Sequence, residues 1–348
     1  MKLWKTALRF LPLSLVVLFL AGCMGETNLT ALDPQGPQAE WLFDNMLLSL
    51  YVMAFVSIVV FAIFFIILAR FRRKPGDDEL PKQVHGNTAL EITWTVIPII
   101  LLTILAVPTI TGTFMLADVE PDPEVEEETV TITVTGHQFW WQFDYEDGFT
   151  AGNDVYIPVG EKVIFELHAS DVMHSFWVPA LGGKVDTIPG ITNHLWLEAS
   201  EPGVYKGKCA ELCGASHALM DFKVIALERD DYDAWVEGMM EADAEPDTDD
   251  ILVQQGYELF GADGLGCIGC HAVGGSGTAA GPTLTNFGDR TTIANFLENN
   301  DENLEEWIRN PKALKQGNDM PEFPDVTDEE MEALIAYLRS LSVRELDE

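Results

Sequence analysis

Apolar positions in this 348-residue chain follow three different rhythms. The first is unbroken. An apolar run extends from Phe10 to Leu20, a charge-free stretch of 25 residues from Asn45 to Ala69, and another of 26 from Ile92 to Ala117. About 20 apolar residues cross a hydrocarbon core, so the two longer stretches predict spanning helices over 45–69 and 92–117, within a hairpin covering 41–117. Pro98 and Pro108 are tolerable inside such a helix. The second rhythm is alternation. Short β-branched or alternating runs at Val130–Thr135, Gln138–Tyr145, Asp154–Pro158, Lys162–Ala169, His194–Glu198 and Phe222–Leu227 are separated by turn residues. They predict an all-β sandwich over 128–228. The third rhythm is helical. Leu252–Phe260 reads as a helix, and Thr327-Asp328-Glu329-Glu330 is a capping box opening Met331–Leu341. Met331, Leu334, Ile335 and Leu338 recur there at steps of 3 and 4, predicting an all-α module over 251–345. The chain is therefore multi-domain. Residues 229–250 hold ten carboxylates, one Arg and Pro246, and read as a solvated acidic linker, partly helical at most.

Charge orients the hairpin. Arg70-Phe71-Arg72-Arg73-Lys74 lies between the spans and belongs on the cytoplasmic side, which puts everything before and after the hairpin outside. Lys2, Lys5 and Arg9 precede the short apolar run that ends in Leu20-Ala21-Gly22-Cys23. This is the layout of a secretory signal peptide over 1–22, and it exports residue 23, in agreement with the basic cluster. Its ending resembles a bacterial lipoprotein signal, which implies lipidation of Cys23. Residues 91–348 carry 12 basic and 49 acidic side chains. A surface that acidic excludes ordinary nucleic-acid binding. It suits a cationic protein partner, or serves as a solubility device in a salty habitat. Glu91 stands at the cytoplasmic start of the second span, where a carboxylate also complements the helix dipole.

Five cysteines remain to be explained: Cys23 alone, and the close pairs Cys209/Cys213 and Cys267/Cys270. A disulfide-stapled fold uses more, at other spacings. Cys209, Cys213, His217 and Met220 lie within 12 residues, and His174 sits in a segment able to fold back to the same end of the sandwich. Thiolate, imidazole and thioether donors together favour copper. One Cys, two His and a Met would make a mononuclear blue-copper site, and two Cys suggest two coppers bridged by thiolates. A Cys209–Cys213 disulfide would leave His174, His217 and Met220 without a role, and Met is a poor zinc ligand.

Cys267-Ile268-Gly269-Cys270-His271 is the C-x-x-C-H pattern of covalent c-type haem attachment, with His271 on one face of the iron. Met320, in the loop Asn318-Asp319-Met320-Pro321, supplies a soft donor for the other face, and Met/His ligation gives a relatively high potential. Trp307 is expected in the haem pocket. The remaining histidines, 85, 137, 168 and 194, form no ligand cluster in the sequence.

The hairpin, the run Gly136-His137-Gln138-Phe139-Trp140-Trp141, the segment from His174 to Pro189-Gly190 and the Cys-x3-Cys-x3-His-x2-Met loop resemble subunit II of haem–copper oxygen reductases. With the haem module behind it, the chain resembles the caa3-type cytochrome c oxidases. The resemblance implies a cupredoxin domain with a binuclear CuA centre held by His174, Cys209, the Glu211 carbonyl, Cys213, His217 and Met220. It also implies a class I cytochrome c domain in which the Pro282 carbonyl orients His271. The Glu211 side chain would reach magnesium at the boundary with catalytic subunit I, Asp186 would sit near that boundary, and Glu91 would stand at the mouth of a proton pathway. Implied partners are subunit I, other oxidase subunits, a soluble or membrane-bound cytochrome c donor and membrane lipid, on the outer face of a bacterial inner membrane. Electrons would pass from haem c to CuA and on to oxygen reduction with proton translocation. One departure stands out: relatives carry Trp where this chain has Phe139, which leaves Phe139, Trp140 and Trp141 as candidates for electron input. A nitric oxide reductase small subunit, a lipid-anchored carrier without a catalytic partner and a quinol oxidase subunit are the alternatives.

Overall fold

The computed structural model describes residues 29–72, 75–76, 83, 85–119 and 129–343. The signal segment 1–22, Cys23, Arg73 and Lys74 of the basic cluster, and most of the acidic stretch before 129 lie outside the described residues.

Helices α1 (Pro37–Arg70) and α2 (Thr88–Leu116) are long and apolar enough to cross a membrane. α2 is opened by Asn87, whose side chain accepts hydrogen bonds from the amides of Ala89 and Leu90. α1 begins eight residues before the predicted span because its first turn belongs to the soluble part. The buried Gln38 side chain donates to the Trp196 carbonyl at 2.8 Å and accepts from the Gly183 amide at 3.0 Å. Trp196 Nε1 donates to the Met115 carbonyl at 3.4 Å, so both helices are bonded to the sandwich. Gly112 of α2 leaves room for the Trp41 indole of α1, which any side chain there would strike.

The sandwich has two five-stranded sheets. Strands β1 (Thr131–His137), β2 (Trp140–Tyr145), β3 (Thr150–Gly152), β5 (Val163–Ala169) and β8 (Asn193–Leu197) form one, in the order β3-β2-β1-β5-β8. Strands β4 (Asp154–Pro158), β6 (His174–Trp177), β7 (Lys184–Thr187), β9 (Gly203–Cys209) and β10 (Asp221–Leu227) form the other, in the order β4-β10-β9-β6-β7. β1 and β2 alternate half-buried and buried positions, the period-2 signature of a strand with one face inward. Trp141, Phe143, Phe165, Phe176 and Phe222 fill the space between the sheets. β3, β6, β7 and β9 fall outside the predicted runs: β6 is four residues beginning with His and Ser, and β9 interleaves Gly203, Gly207, Lys206 and Lys208 with its buried side chains.

The acidic segment after the sandwich is not a solvated linker throughout. Arg229–Glu241 forms helix α3, and Tyr232, Trp235 and Met239 on one face join the sandwich core. The Trp235 ring stacks on Tyr156 with centroids 4.2 Å apart. Arg229 ties the helix start to Glu161, with Nε donating to Oε1 at 2.8 Å.

The last domain comprises α4 (Ile251–Phe260), a short ribbon of β11 (Thr292–Ile293) and β12 (Leu297–Glu298), α5 (Asp301–Arg309), α6 (Pro311–Leu314) and α7 (Asp328–Ser340). α4 packs on α7, and Gly256 allows it: a Cβ there would collide with the Ala333 carbonyl. The capping box of α7 is formed by Thr327 and Glu330. This domain sits directly on the sandwich. Lys223 Nζ donates to Thr291 Oγ1 at 2.6 Å and Thr292 Oγ1 at 2.8 Å, and Ser216 Oγ donates to the Gln316 carbonyl at 2.6 Å.

Candidate metal centres and the contact between them

The first cluster forms where β6 begins and β9 ends. His174 is fully buried, and Cys209 and Cys213 are nearly so. The thiols are free and lie 3.8 Å apart. His174 Nδ1 is 3.9 Å from Cys209 Sγ, His217 Nδ1 is 3.6 Å from Cys213 Sγ, and Met220 Sδ is 3.7 Å from Cys213 Sγ. The Glu211 carbonyl is 3.2 Å from Cys209 Sγ. Six donors from two chain segments thus converge on one spot. His174 alone comes from outside the contiguous Cys-x3-Cys-x3-His-x2-Met loop, brought in by the pairing of β6 with β9.

Without a cation beside it, the Cys213 thiol stays protonated. Burial and the neighbouring Cys209 push the Cys213 thiol up to about 12, so the thiolate form needs positive charge beside it. His174 Nε2 stands 2.8 Å from Asp171 Oδ1, which leaves Nδ1 as the nitrogen facing the thiols. Burial lowers the His174 pKa and Asp171 works against that, so the ring is held neutral, as a metal ligand must be. Burial alone would raise the Asp171 carboxyl. Hydrogen bonds from His174 and from the amides of Val172 and Gln138 outweigh it and hold the group below the usual carboxylate range. The sequence reading missed Asp171; its signal, a carboxylate three residues before a candidate ligand, is legible only once the ligand is known.

The second cluster lines a cavity of about 390 Å³ in the last domain. Cys267, Cys270, His271 and Met320 all border it, together with Trp307 and the buried Arg290. His271 Nδ1 is 2.7 Å from the Pro282 carbonyl, which fixes the ring through its Nδ1 and leaves Nε2 free of that bond. Gly281 makes room for the ring: a Cβ there would lie 2.9 Å from His271 Cε1. Burial lowers the His271 pKa, keeping the ring neutral. Burial also raises the Cys267 thiol to about 11. Met320 is held by its amide, which donates to Asn318 Oδ1 at 3.0 Å. The wall also carries Arg290, whose Nε is buried without a partner, a donor suited to an anionic substituent of the bound group. Thiol pair, imidazole, thioether and apolar lining fit a haem.

The two clusters share a wall. Gln138, Phe139 and Trp140 line the second cavity from the sandwich side. Gln138 Nε2 donates to the Cys213 carbonyl at 2.5 Å, and its amide donates to Asp171 Oδ2 at 2.7 Å. Trp140 stacks on His137 with centroids 4.2 Å apart. Trp141 does not reach the cavity; it lies in the core, edge-on to His174 at 5.9 Å. Glu211 is half-buried beside the thiols, and Asp186 pairs with Ser175 in the strand next to His174. Glu91 is far from both clusters in chain terms, exposed in the first turn of α2.

Comparison with known proteins matches residues 28–111 to the family described as cytochrome C oxidase subunit II, transmembrane domain, and 148–227 to cytochrome C oxidase subunit II, periplasmic domain. Residues 253–342 match cytochrome c. A cytochrome c oxidase subunit 2 of Alkalihalophilus pseudofirmus is 76% identical over 346 residues, covering 99% of this chain and 100% of the relative. One from a Bacillus species is 46% identical over 345 residues, covering 94% of this chain and 96% of the relative. A quinol oxidase subunit 2 of Bacillus cereus is 39% identical over 240 residues, but that match covers only 68% of this chain and 81% of the relative.

Proposed function

Since the chain belongs to the cytochrome c oxidase subunit II family, we propose that it carries electrons one at a time from an external cytochrome c, by way of its last domain, to the sandwich and then to catalytic subunit I. As a subunit of an oxidoreductase complex it works beside subunit I and other subunits, in a membrane, with its soluble domains on the periplasmic side. Copper and haem are its cofactors. The alternatives weighed from the sequence are not favoured, because relatives matching nearly the whole chain bear the name cytochrome c oxidase subunit 2.

When bound, the copper pair and the haem supply two one-electron carriers. The side chains supply everything else. Cys209 and Cys213, as thiolates, would hold the copper together with His174, His217, Met220 and the Glu211 carbonyl. Asp171 holds His174 in the tautomer that presents Nδ1. Soft donors set by β6, the end of β9 and the loop that follows would suit a one-electron copper carrier. Cys267 and Cys270 would attach the haem covalently, and His271, oriented by the Pro282 carbonyl, and Met320 would serve as its ligands. The Glu211 carboxylate would hold magnesium at the boundary with subunit I, with Asp186 nearby. α1 and α2 both span the bilayer, Cys23 carries lipid, and Glu91 opens a proton path. Phe139 and Trp140 lie where the electron crosses between domains.

The observation that carries this reading is the pair Gln138 and Phe139, which meets the thiol loop at Cys213 and Gly214 and also lines the haem-sized cavity. Electron paramagnetic resonance on the purified complex tests it. The expected spectrum has copper hyperfine structure shared by two nuclei, and Cys213→Ser abolishes that sharing. A mononuclear pattern in the parent protein would contradict the ligand set.

A further inference from the structure

The haem-sized cavity also has a charged wall that comes from the sandwich. Asn153 and Asp154, where β3 gives way to β4, both line it. This corner is firmly held. Asn153 has φ of 68°, a left-handed conformation that asparagine tolerates, and its Oδ1 accepts from the Trp141 amide at 3.0 Å. Its own amide donates to the Trp141 carbonyl at 2.8 Å. Gly152 lies against the segment that orients His271: a Cβ there would stand 2.9 Å from Pro282 Cβ and 3.4 Å from the Thr283 nitrogen. The Pro282 carbonyl faces His271 Nδ1, and the next carbonyl, that of Thr283, accepts from Arg290 Nη2 at 2.6 Å. Asp154 is 3% exposed and Arg290 7%, and each bears on the other's charge across the domain boundary. Lys223 of β10 is the second cation facing Asp154.

Stability alone gives no reason for this arrangement, because a buried set of charges is weak evidence for a more stable fold. Beside a redox group the charges acquire a use. An iron centre carries one more positive charge oxidised than reduced, so a fixed anion on the cavity wall favours the oxidised form and fixed cations favour the reduced one. Arg290 and Lys223 by themselves would push the haem potential up. Resting on the haem assignment made above, we propose that Asp154 is a positioning residue lent by the sandwich to the neighbouring haem site, a fixed counter-charge that offsets Arg290 and Lys223 and holds the haem potential down. A lower potential on the haem favours passage of its electron to the copper side. The potential is then a property of the two domains together, written partly in the sandwich.

The test is a redox titration of the c-type haem in the whole purified oxidase without oxygen, followed at its visible absorption band. A parent protein without covalently bound haem would end the haem assignment itself, whereas the comparison of variants decides the role of Asp154. Asp154→Asn keeps the shape and removes the charge. At a fixed ambient potential the ratio of ferrous to ferric haem should rise roughly tenfold, which is about 59 mV in the midpoint of a one-electron couple. Asp154→Glu restores the charge and should bring the midpoint back towards the parent value. An unchanged midpoint in Asp154→Asn overturns the proposal, because the carboxylate then exerts no field at the haem. An equal rise in the Asn and Glu variants overturns it too, because shape rather than charge is then at work. Should Asp154→Asn fail to assemble, Lys223→Gln reads the same field with the opposite sign: loss of the offsetting cation lowers the midpoint, and a rise or no change overturns the proposal.

Discussion

Lys315 is 3% exposed, with its ammonium donating to the Ala294 carbonyl at 2.9 Å and lying 5.8 Å from the centre of the Phe296 ring. Neither contact replaces the lost hydration, and burial pushes its pKa down to about 7, against the opposing pull of Asp221 and Cys213. The consequence for stability has a definite sign. A lysine whose folded pKa is depressed binds fewer protons folded than unfolded between that value and its ordinary 10.5, so stability rises with pH across this window. Replacing it with Met, of similar length and no charge, removes the penalty. Thermal unfolding should show Lys315→Met stabilised most at pH 6 or below (about the lower edge of the window), with the advantage shrinking as the pH climbs towards 10. A constant difference would mean that the ammonium is compensated. At this scale the sequence was only partly legible. Cys209, Cys213 and His217 announce themselves by spacing, and so do Cys267, Cys270 and His271. Asp171, Gln138, Ser216 and Lys315 do not, because each acquires its role from a partner that folding brings near.

At the scale of elements, helix α3 shows how composition misleads. Ten carboxylates between 229 and 250 mark a solvated segment, yet Tyr232, Trp235 and Met239 recur at steps of 3 and 4 on a single face. Those three side chains outweigh the charge because the acidic groups stay on the outer face. Trp235 stacks on Tyr156 and meets Tyr145 and Phe149 edge-on or tilted, so its removal leaves a large hole. Trp235→Ala should cost about 3–5 kcal/mol, read as a lowered unfolding midpoint together with faster amide exchange along α3. An unchanged midpoint would place the helix outside the cooperative core. The strands teach a related lesson. β4 runs over Asp154–Pro158 as its β-branched and aromatic residues predict, whereas β9 was hidden by its glycines and lysines. Only its pairing between β6 and β10 makes it a strand, and that same pairing carries Cys209 to His174.

The whole molecule is a stack: a helical hairpin, a sandwich bonded to it through Gln38 and Trp196, and a haem-sized cavity closed on one side by the sandwich itself. The order of domains was readable from the three rhythms of apolar residues. Their contact was not, since an acidic tether is compatible with many arrangements and the buried polar bonds of Lys223 and Ser216 select one. That arrangement places the two candidate metal-binding clusters on either side of Gln138, the distinguishing claim of this account. Photoreduction of the haem in the intact oxidase, without oxygen and with one electron per molecule, tests it directly. The haem should be reoxidised by a first-order process while the near-infrared copper band bleaches in step, at a rate independent of protein concentration. A haem that stays reduced, or one whose reoxidation quickens with protein concentration, would contradict it.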